Sequence, residues 1–182
     1  MTAQVFELSE AGSPREAEVE TKDILVSPMF FSLEPGSDRQ VRIVSMGGTS
    51  DREVAYRLRL APQHGEFDPK ATFSVGGDSS RLNVVTALAV LILQAPTETT
   101  GELVSTRVDG DVILRNESNR SVALSDVKVC PTVSRGDCTE LLGKRLFPGG
   151  EWRLTLPPQG RIEFLQRRGS DFEMMVIDGA PR

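Results

Sequence analysis

The chain of 182 residues is dominated by short segments in which apolar and polar residues alternate, separated by clusters of turn-forming residues. Alternation with period two puts every second side chain on one face, which is typical of a half-buried β-strand. In the first half of the chain we predict strands at QVFEL (4–8), DILVS (23–27), MFFSL (29–33), RQVRIVS (39–45), EVAYRLRLA (53–61) and RLNVVTALAVLILQAP (81–96).

The second half repeats this pattern after TETTGE (97–102), a polar stretch with the composition of a linker. The strands predicted there are LVSTRV (103–108), DVILRN (111–116), VALSDVKV (122–129), EWRLTL (151–156), RIEFLQ (161–166) and EMMVID (173–178). No segment has a convincing helical stripe. The sequence therefore predicts an all-β chain of two immunoglobulin-like β-sandwich domains, residues 1–96 and 97–182. A single large barrel is less favoured, because the linker falls at the midpoint.

Composition excludes several classes of protein. Hydrophobic residues make up 38% of the chain and charged residues 26%, which supports a folded core. The formal net charge of -5 does not suggest a basic face for nucleic acid. The longest apolar run, residues 84–95, is shorter than the roughly 20 residues of a membrane-spanning helix. The first 20 residues have no basic n-region and no apolar h-region, so we recognise no signal peptide in this sequence.

Residues that could carry catalysis are scarce. His64 is the single histidine, lies in a predicted loop, and is interpreted as a surface residue. No paired-cysteine, metalloprotease, nucleophile-elbow or phosphate-loop motif occurs. A zinc site needs about four ligands, which two cysteines and a distant histidine do not supply. We therefore predict a protein that is not an enzyme and uses no metal or other cofactor. An Asn-x-Ser sequon at Asn116 is interpreted as a turn between strands.

The two cysteines, Cys130 and Cys138, bracket a segment that contains an Arg-Gly-Asp triplet. They are too far apart for a thioredoxin-type redox pair. A disulfide that closes the turn between them is the favoured interpretation, and two unrelated buried thiols are the alternative. Such a disulfide would persist only in an oxidising compartment. An adhesion role for the triplet is disfavoured, because Gly136 and its neighbours suit a tight turn.

Three motifs between residues 26 and 61 follow one another in a family-specific order. They are Ser27-Pro28 with Leu33 and Pro35, then Gln40, Val41, Arg42 and Ile43, and then Asp51, Arg52 and Glu53 with Tyr56. In residues and spacing this region resembles the N-terminal domain of the PapD-like periplasmic pilus chaperones. The resemblance marks Pro28, Leu33, Pro35, Arg42, Asp51, Arg52 and Glu53 as structural motif residues.

The second half resembles the divergent common-pilus and alternate branch of the same family. It contains a cysteine pair followed by Gly143-Lys144 and Pro148-Gly149, as that branch does in its second domain. The resemblance implies two Ig-like domains, a periplasmic location, and fimbrial subunits and an outer-membrane usher as partners. Such chaperones bind pilus subunits by donor-strand complementation before assembly. The alternative is a structural β-sandwich such as a pilus subunit or adhesin, which the two-domain layout disfavours.

By this resemblance the lending strand is RLNVVTALAVLI. Its subunit-binding side chains are expected to be Leu82, Val84, Thr86 and Leu88. Val90 and Ile92 lie on the same face and are expected to pack in their own domain instead. The resemblance also implies that the chain begins at the family's second strand, so that the first domain lacks its N-terminal strand. The family's Arg and Lys anchor for a subunit carboxylate is not carried over, because neither position is matched.

Overall fold

The computed structural model describes residues 1–63, 72–75, 78–81, 86–131 and 137–179. Every regular element within these residues is a β-strand. The strands are β1 (Thr2–Ser9), β2 (Ala17–Glu20), β3 (Ile24–Ser27), β4 (Arg42–Ser45), β5 (Val54–Ala61), β6 (Thr72–Val75), β7 (Asp78–Arg81), β8 (Leu88–Gln94), β9 (Leu103–Val108), β10 (Asp111–Asn116), β11 (Val122–Cys130), β12 (Thr139–Leu141), β13 (Lys144–Leu146), β14 (Glu151–Thr155), β15 (Arg161–Arg168) and β16 (Asp171–Asp178). The described residues contain no helix that could cross a membrane.

The chain divides into two compact units. The first unit comprises Met1–Leu8, Glu18–Gly48 and Ala55–Ile92. The second comprises Ser9–Ala17, Thr49–Val54 and Leu93–Arg182. Two short segments from the first third of the chain are therefore part of the second unit. The boundary proposed from the sequence, between residues 96 and 97, stays a prediction.

The first unit is built around a four-stranded sheet in the order β2-β1-β5-β8. Strands β1 and β5 are antiparallel, and their register places Val5 opposite Leu58. Two-stranded ladders, β3-β4 and β6-β7, complete its described strands. Among the residues of this unit that the structure describes, the buried apolar side chains come mainly from β1, β3 and β5: Ala3, Leu8, Ile24, Val26, Ala55, Tyr56 and Leu58.

The second unit has two sheets, one in the order β14-β10-β9 and one in the order β12-β11-β15-β16, with β13 also paired to β11. Alternation in β10 and β15 points every second side chain inward, and Leu114 and Phe164 are each 1% exposed. These inward faces form one hydrophobic core: Val112, Leu114, Val122, Leu124, Val127, Leu146, Leu154, Leu156, Ile162 and Phe164. The core stabilises this unit, since each fully buried large apolar side chain contributes about 1.5–3 kcal/mol.

The prediction of an all-β chain is confirmed, and the predicted strands of the second half match β9, β10, β11, β14, β15 and β16 closely. The strand predicted at residues 29–33 is wrong. This segment makes one isolated bridge, between Phe30 and Thr2, instead of a ladder. Alternation is not sufficient for a strand, because a ladder also needs a neighbouring strand in register. The single strand predicted at 81–96 is interrupted, because Thr86 and Ala87 lie outside any strand.

Asn116 is a buried hydrogen-bonding centre in the second unit, with no exposed surface (0%). Its Nδ2 donates to the carbonyl oxygens of Arg120 at 2.8 Å and Leu146 at 2.9 Å. Its Oδ1 accepts from the Ser118 backbone N–H at 3.0 Å and the Ser118 hydroxyl at 2.7 Å. The side chain therefore ties the turn after β10 to β13. Because it is buried, the sequon is not accessible to a glycan in the folded chain.

Replacing Asn116 tests this network. We expect Asn116→Ala to lower the free energy of unfolding by about 3 kcal/mol, since the buried network would lose the hydrogen bonds that the Asn116 side chain makes to Leu146, Arg120 and Ser118. Urea unfolding followed by tryptophan fluorescence would measure the change. The control is Gln4→Ala at an exposed position of β1, with an expected effect within about 0.5 kcal/mol. Equal effects of the two substitutions would contradict the assignment.

Cys130 and Cys138 form a disulfide, with an S–S distance of 2.03 Å and a Cα–Cα distance of 4.1 Å. This confirms the favoured interpretation of the cysteine pair. Cys130 is the last residue of β11 and is 2% exposed, whereas Cys138 directly precedes β12. The bond therefore links two strands that are already neighbours in one sheet.

The disulfide gives a second prediction. Closing so short a loop restricts the unfolded chain and stabilises the fold by about 2.5 kcal/mol. We expect dithiothreitol to lower the unfolding free energy of the wild-type chain by this amount. The Cys130→Ser/Cys138→Ser variant, which cannot form the bond, serves as the control and should not respond to the reductant. A wild-type urea midpoint that is unchanged by dithiothreitol would refute the prediction.

Candidate functional site

The candidate site is the edge strand β8, Leu88–Gln94. It occupies one end of the sheet β2-β1-β5-β8, and among the described strands it pairs only with β5. Its other edge therefore carries backbone N–H and C=O groups that no described strand pairs. Such an edge is a template for pairing with another extended chain.

The side chains of β8 make this edge unusual. Leu88 is 56% exposed, Val90 46% and Leu91 43%, so apolar groups face solvent on both faces of the strand. Soluble proteins rarely expose contiguous apolar surface without a binding role. The strand combines an edge that no described strand pairs with exposed apolar side chains, and these are the two components of recognition by strand addition.

The residues predicted to enter a partner are placed as follows. Leu88 is the first residue of β8, and Thr86 lies exposed two residues before it, outside the strand. Leu82 and Val84 lie outside the described residues, so their binding role stays a prediction. His64 and Gly136 also lie outside the described residues.

Val90 is more exposed than predicted, and Leu91 is an exposed apolar residue that was not among the predicted binding side chains. Val90 was expected to pack in its own domain, and its 46% exposure contradicts this. An edge strand has no neighbour on one side, so an inward side chain there is covered only partly. Leu91 could have been found from the unbroken apolar run LAVLIL, because such a run predicts apolar contacts on both faces of a strand.

Asp51, Arg52 and Glu53 lie in the second compact unit. The Asp51 carbonyl accepts from Asn119 Nδ2 at 2.7 Å, and Arg52 Nη2 donates to the Pro148 carbonyl at 2.6 Å. The Glu53 side chain is 2% exposed, and its Oε1 accepts the Ser121 backbone N–H at 3.0 Å. These contacts tie the motif to neighbouring residues of the second unit, and its structural role stays a prediction.

The other motif residues lie nearer the surface of the first unit. Pro28 follows β3 through a cis peptide bond and is half-buried. Leu33 is 48% exposed, and Pro35 is exposed in the segment before β4. Arg42 is the exposed first residue of β4. Their structural role stays a prediction.

A second apolar surface of the first unit lies on the β3-β4 ladder. All four residues of β4 are exposed, and Val44 is paired with Leu25, which is 50% exposed. Further exposed apolar side chains in this unit are Val19, Met29, Phe30, Leu33, Ile43 and Met46. The first unit therefore exposes apolar side chains on the β3-β4 ladder as well as on β8.

The described residues were also compared with the requirements of a metal site. Among the described residues, no group of three or more His, Cys, Asp or Glu side chains is placed to hold a metal ion.

Comparison with solved structures identifies the fold. No protein-family model and no curated protein sequence matches the chain. The chain is similar to the class 5 fimbriae chaperone CfaA, with a TM-score of 0.66 and 18% identity over 100% of this chain and 85% of that one. It also matches a chain of the CsuC–CsuE chaperone–tip subunit pre-assembly complex from the archaic Csu pili of Acinetobacter baumannii, with a TM-score of 0.56 and 13% identity over 99% of this chain and 85% of that one. The E. coli chaperone DraB matches with a TM-score of 0.54 and 17% identity over 98% of this chain and 83% of that one.

These matches show that the chain has the all-β, two-domain immunoglobulin-like fold of the fimbrial chaperones. The predicted fold class is therefore confirmed. Because the sequence identities are below 20%, the shared feature is the architecture. Architecture alone does not define a function, which depends on the site that the fold carries.

The exposure of Leu88 gives a third prediction. We expect Leu88→Asp to lower the unfolding free energy by less than about 1 kcal/mol, because an exposed edge position loses only strand propensity. Leu58→Ala on β5, where the side chain is 4% exposed, should cost about 3 kcal/mol. The unfolding free energies of both variants, measured by urea unfolding, test this prediction. Similar losses would mean that Leu88 packs in the core.

Proposed function

We propose that this chain is a chaperone that binds and stabilises pilus or fimbrial subunits by lending them a strand before their assembly. The observation that carries the proposal is the edge strand β8, whose apolar side chains Leu88, Val90 and Leu91 are exposed. The fimbrial-chaperone fold of the chain supports it.

The physical basis is β-augmentation. A subunit that lacks its last strand exposes an unpaired edge and an open hydrophobic groove, and both favour aggregation. Pairing with β8 would satisfy the backbone groups of that edge. Alternate side chains of the lending segment, from Leu82 and Val84 through Thr86 to Leu88, would fill the groove. Backbone bonds then supply affinity, and the side chains supply specificity.

The compartment and the assembly partner belong to the same proposal. The Cys130–Cys138 disulfide needs an oxidising environment, which supports a periplasmic location. We propose an outer-membrane usher as the acceptor of the chaperone–subunit complex. The role proposed is binding, with no catalytic step and no cofactor. The alternative, a structural pilus subunit or adhesin, is disfavoured by the two-unit organisation of the chain.

Co-expression with a fimbrial subunit from the same organism would test the proposal. We expect a soluble one-to-one complex on size-exclusion chromatography. Leu82→Asp/Val84→Asp should abolish it, because two charges cannot enter an apolar groove without partners. Leu88→Asp should weaken the complex roughly tenfold or more, the effect of losing one buried apolar anchor.

The matched control is Leu142→Asp, which makes the same substitution at a residue of the second unit that is 93% exposed. This variant should bind as the wild type does. Complex formation that survives Leu82→Asp/Val84→Asp would exclude strand lending from this segment. Self-assembly of the chain into polymers, without a one-to-one complex, would favour the structural alternative.

A further inference from the structure

Two arginines flank an alanine across the larger sheet of the second unit. Ala123 on β11 lies directly opposite Arg145 on β13 and directly opposite Arg167 on β15. Residues directly opposite one another in antiparallel strands project from the same face of the sheet. Neighbouring strands are about 4.8 Å apart, so the Cα atoms of the two arginines are about 10 Å apart. Ala123, with only a methyl side chain, is the residue between them in this row.

A third guanidinium, that of Arg120, lies beside this row. It packs against the turn between β15 and β16, where Gly169 has a φ of +63°. A Cβ on Gly169 would lie 2.7 Å from Arg120 Nη2, so any side chain there would displace the guanidinium. The Arg120 Nε is 3.9 Å from Glu53 Oε2, which gives this arginine a long ion pair.

A pocket of about 230 Å³ lies at this position. Its charged lining residues are Arg120, Arg145, Arg167 and Glu53, and the others are Leu93, Ala95, Ser121 and Gly169. All the lining residues belong to the second unit. Arg145 Nη1 donates to the Ser121 hydroxyl at 2.9 Å, and the Arg167 guanidinium lies 5.9 Å from the centre of the Phe172 ring. In the part of the chain that the structure describes, neither arginine forms an ion pair with a carboxylate. Glu53 therefore leaves two positive charges uncompensated.

The electrostatics of Arg145 agree with this geometry. Burial lowers the pKa of its guanidinium, Glu53 opposes that change, and the neighbouring positive charge of Arg167 lowers the pKa further. Positive charges held this close favour an anion between them. A guanidinium presents planar N–H donors that match the oxygens of a carboxylate, sulfate or phosphate group.

We propose that the pocket lined by Arg120, Arg145 and Arg167 binds an oxyanion group. The ligand would accept hydrogen bonds from these three guanidinium groups. Its chemistry is that of a carboxylate of a polypeptide or of an inorganic sulfate or phosphate. The inference does not depend on the proposed chaperone function.

Amide-resolved NMR titration of the full chain tests the site. The probes are sodium sulfate, an N-acetylated dipeptide with a free carboxylate, and the same dipeptide with an amidated C-terminus, all at matched ionic strength in chloride. We expect saturable shifts at the amides of Ser121, Ala123 and Gly169 with the anionic probes, and no such shifts with the amidated dipeptide. Binding of sulfate alone would assign an inorganic or phosphorylated ligand, and binding of the dipeptide alone would assign a polypeptide carboxylate.

Substitutions distinguish anion binding at this pocket from a general effect of positive charge on the protein. Arg167→Gln should weaken binding roughly tenfold, as loss of a charge-assisted hydrogen bond does. Arg153→Gln removes the same charge from an arginine of the other sheet that is 60% exposed, and binding should not change. No saturable shifts in the wild type, or equal effects of Arg167→Gln and Arg153→Gln, would overturn the proposal.

Discussion

Backbone pairing between antiparallel strands is the interaction on which the rest of this structure depends. The described residues contain no helix, so the regular backbone hydrogen bonds come from sheet ladders. A ladder leaves two edges, and a protein must cover or use them. In the first unit the edge strand β8 has one described partner, β5, and carries exposed apolar side chains. The proposed function follows from this constraint, because a second extended chain could complete the ladder.

The two units differ in how they bury apolar surface. The second unit surrounds one core of ten buried side chains and adds the Asn116 network and the disulfide. Among the described residues, the first unit buries fewer large side chains, and much of β4 and β8 is exposed. The first unit thus presents the apolar surface that the proposed binding role requires.

The strands of the second unit were predictable because turn residues and regular alternation mark their ends. The short strands β2, β12 and β13 were missed, since three or four residues carry too little periodicity to be recognised. Residues 29–33 were predicted as a strand in error, because their alternation has no partner in register. Within the candidate site, the apolar character of Leu88 was readable from the sequence. The exposure of Val90 was not, because it depends on β8 lying at an edge.

By itself, the sequence determined the β class, most strands of the second unit and the resemblance to pilus chaperones, because these depend on local residue patterns. The cysteine spacing was compatible with a disulfide, and the folded chain brings the two Cα atoms to 4.1 Å. Only the tertiary structure decided which strand is left at an edge and which arginines share a pocket. Arg145 and Arg167 are 22 positions apart in the chain and meet across Ala123 only through strand register. Register is set by pairing between distant segments, which no local pattern records.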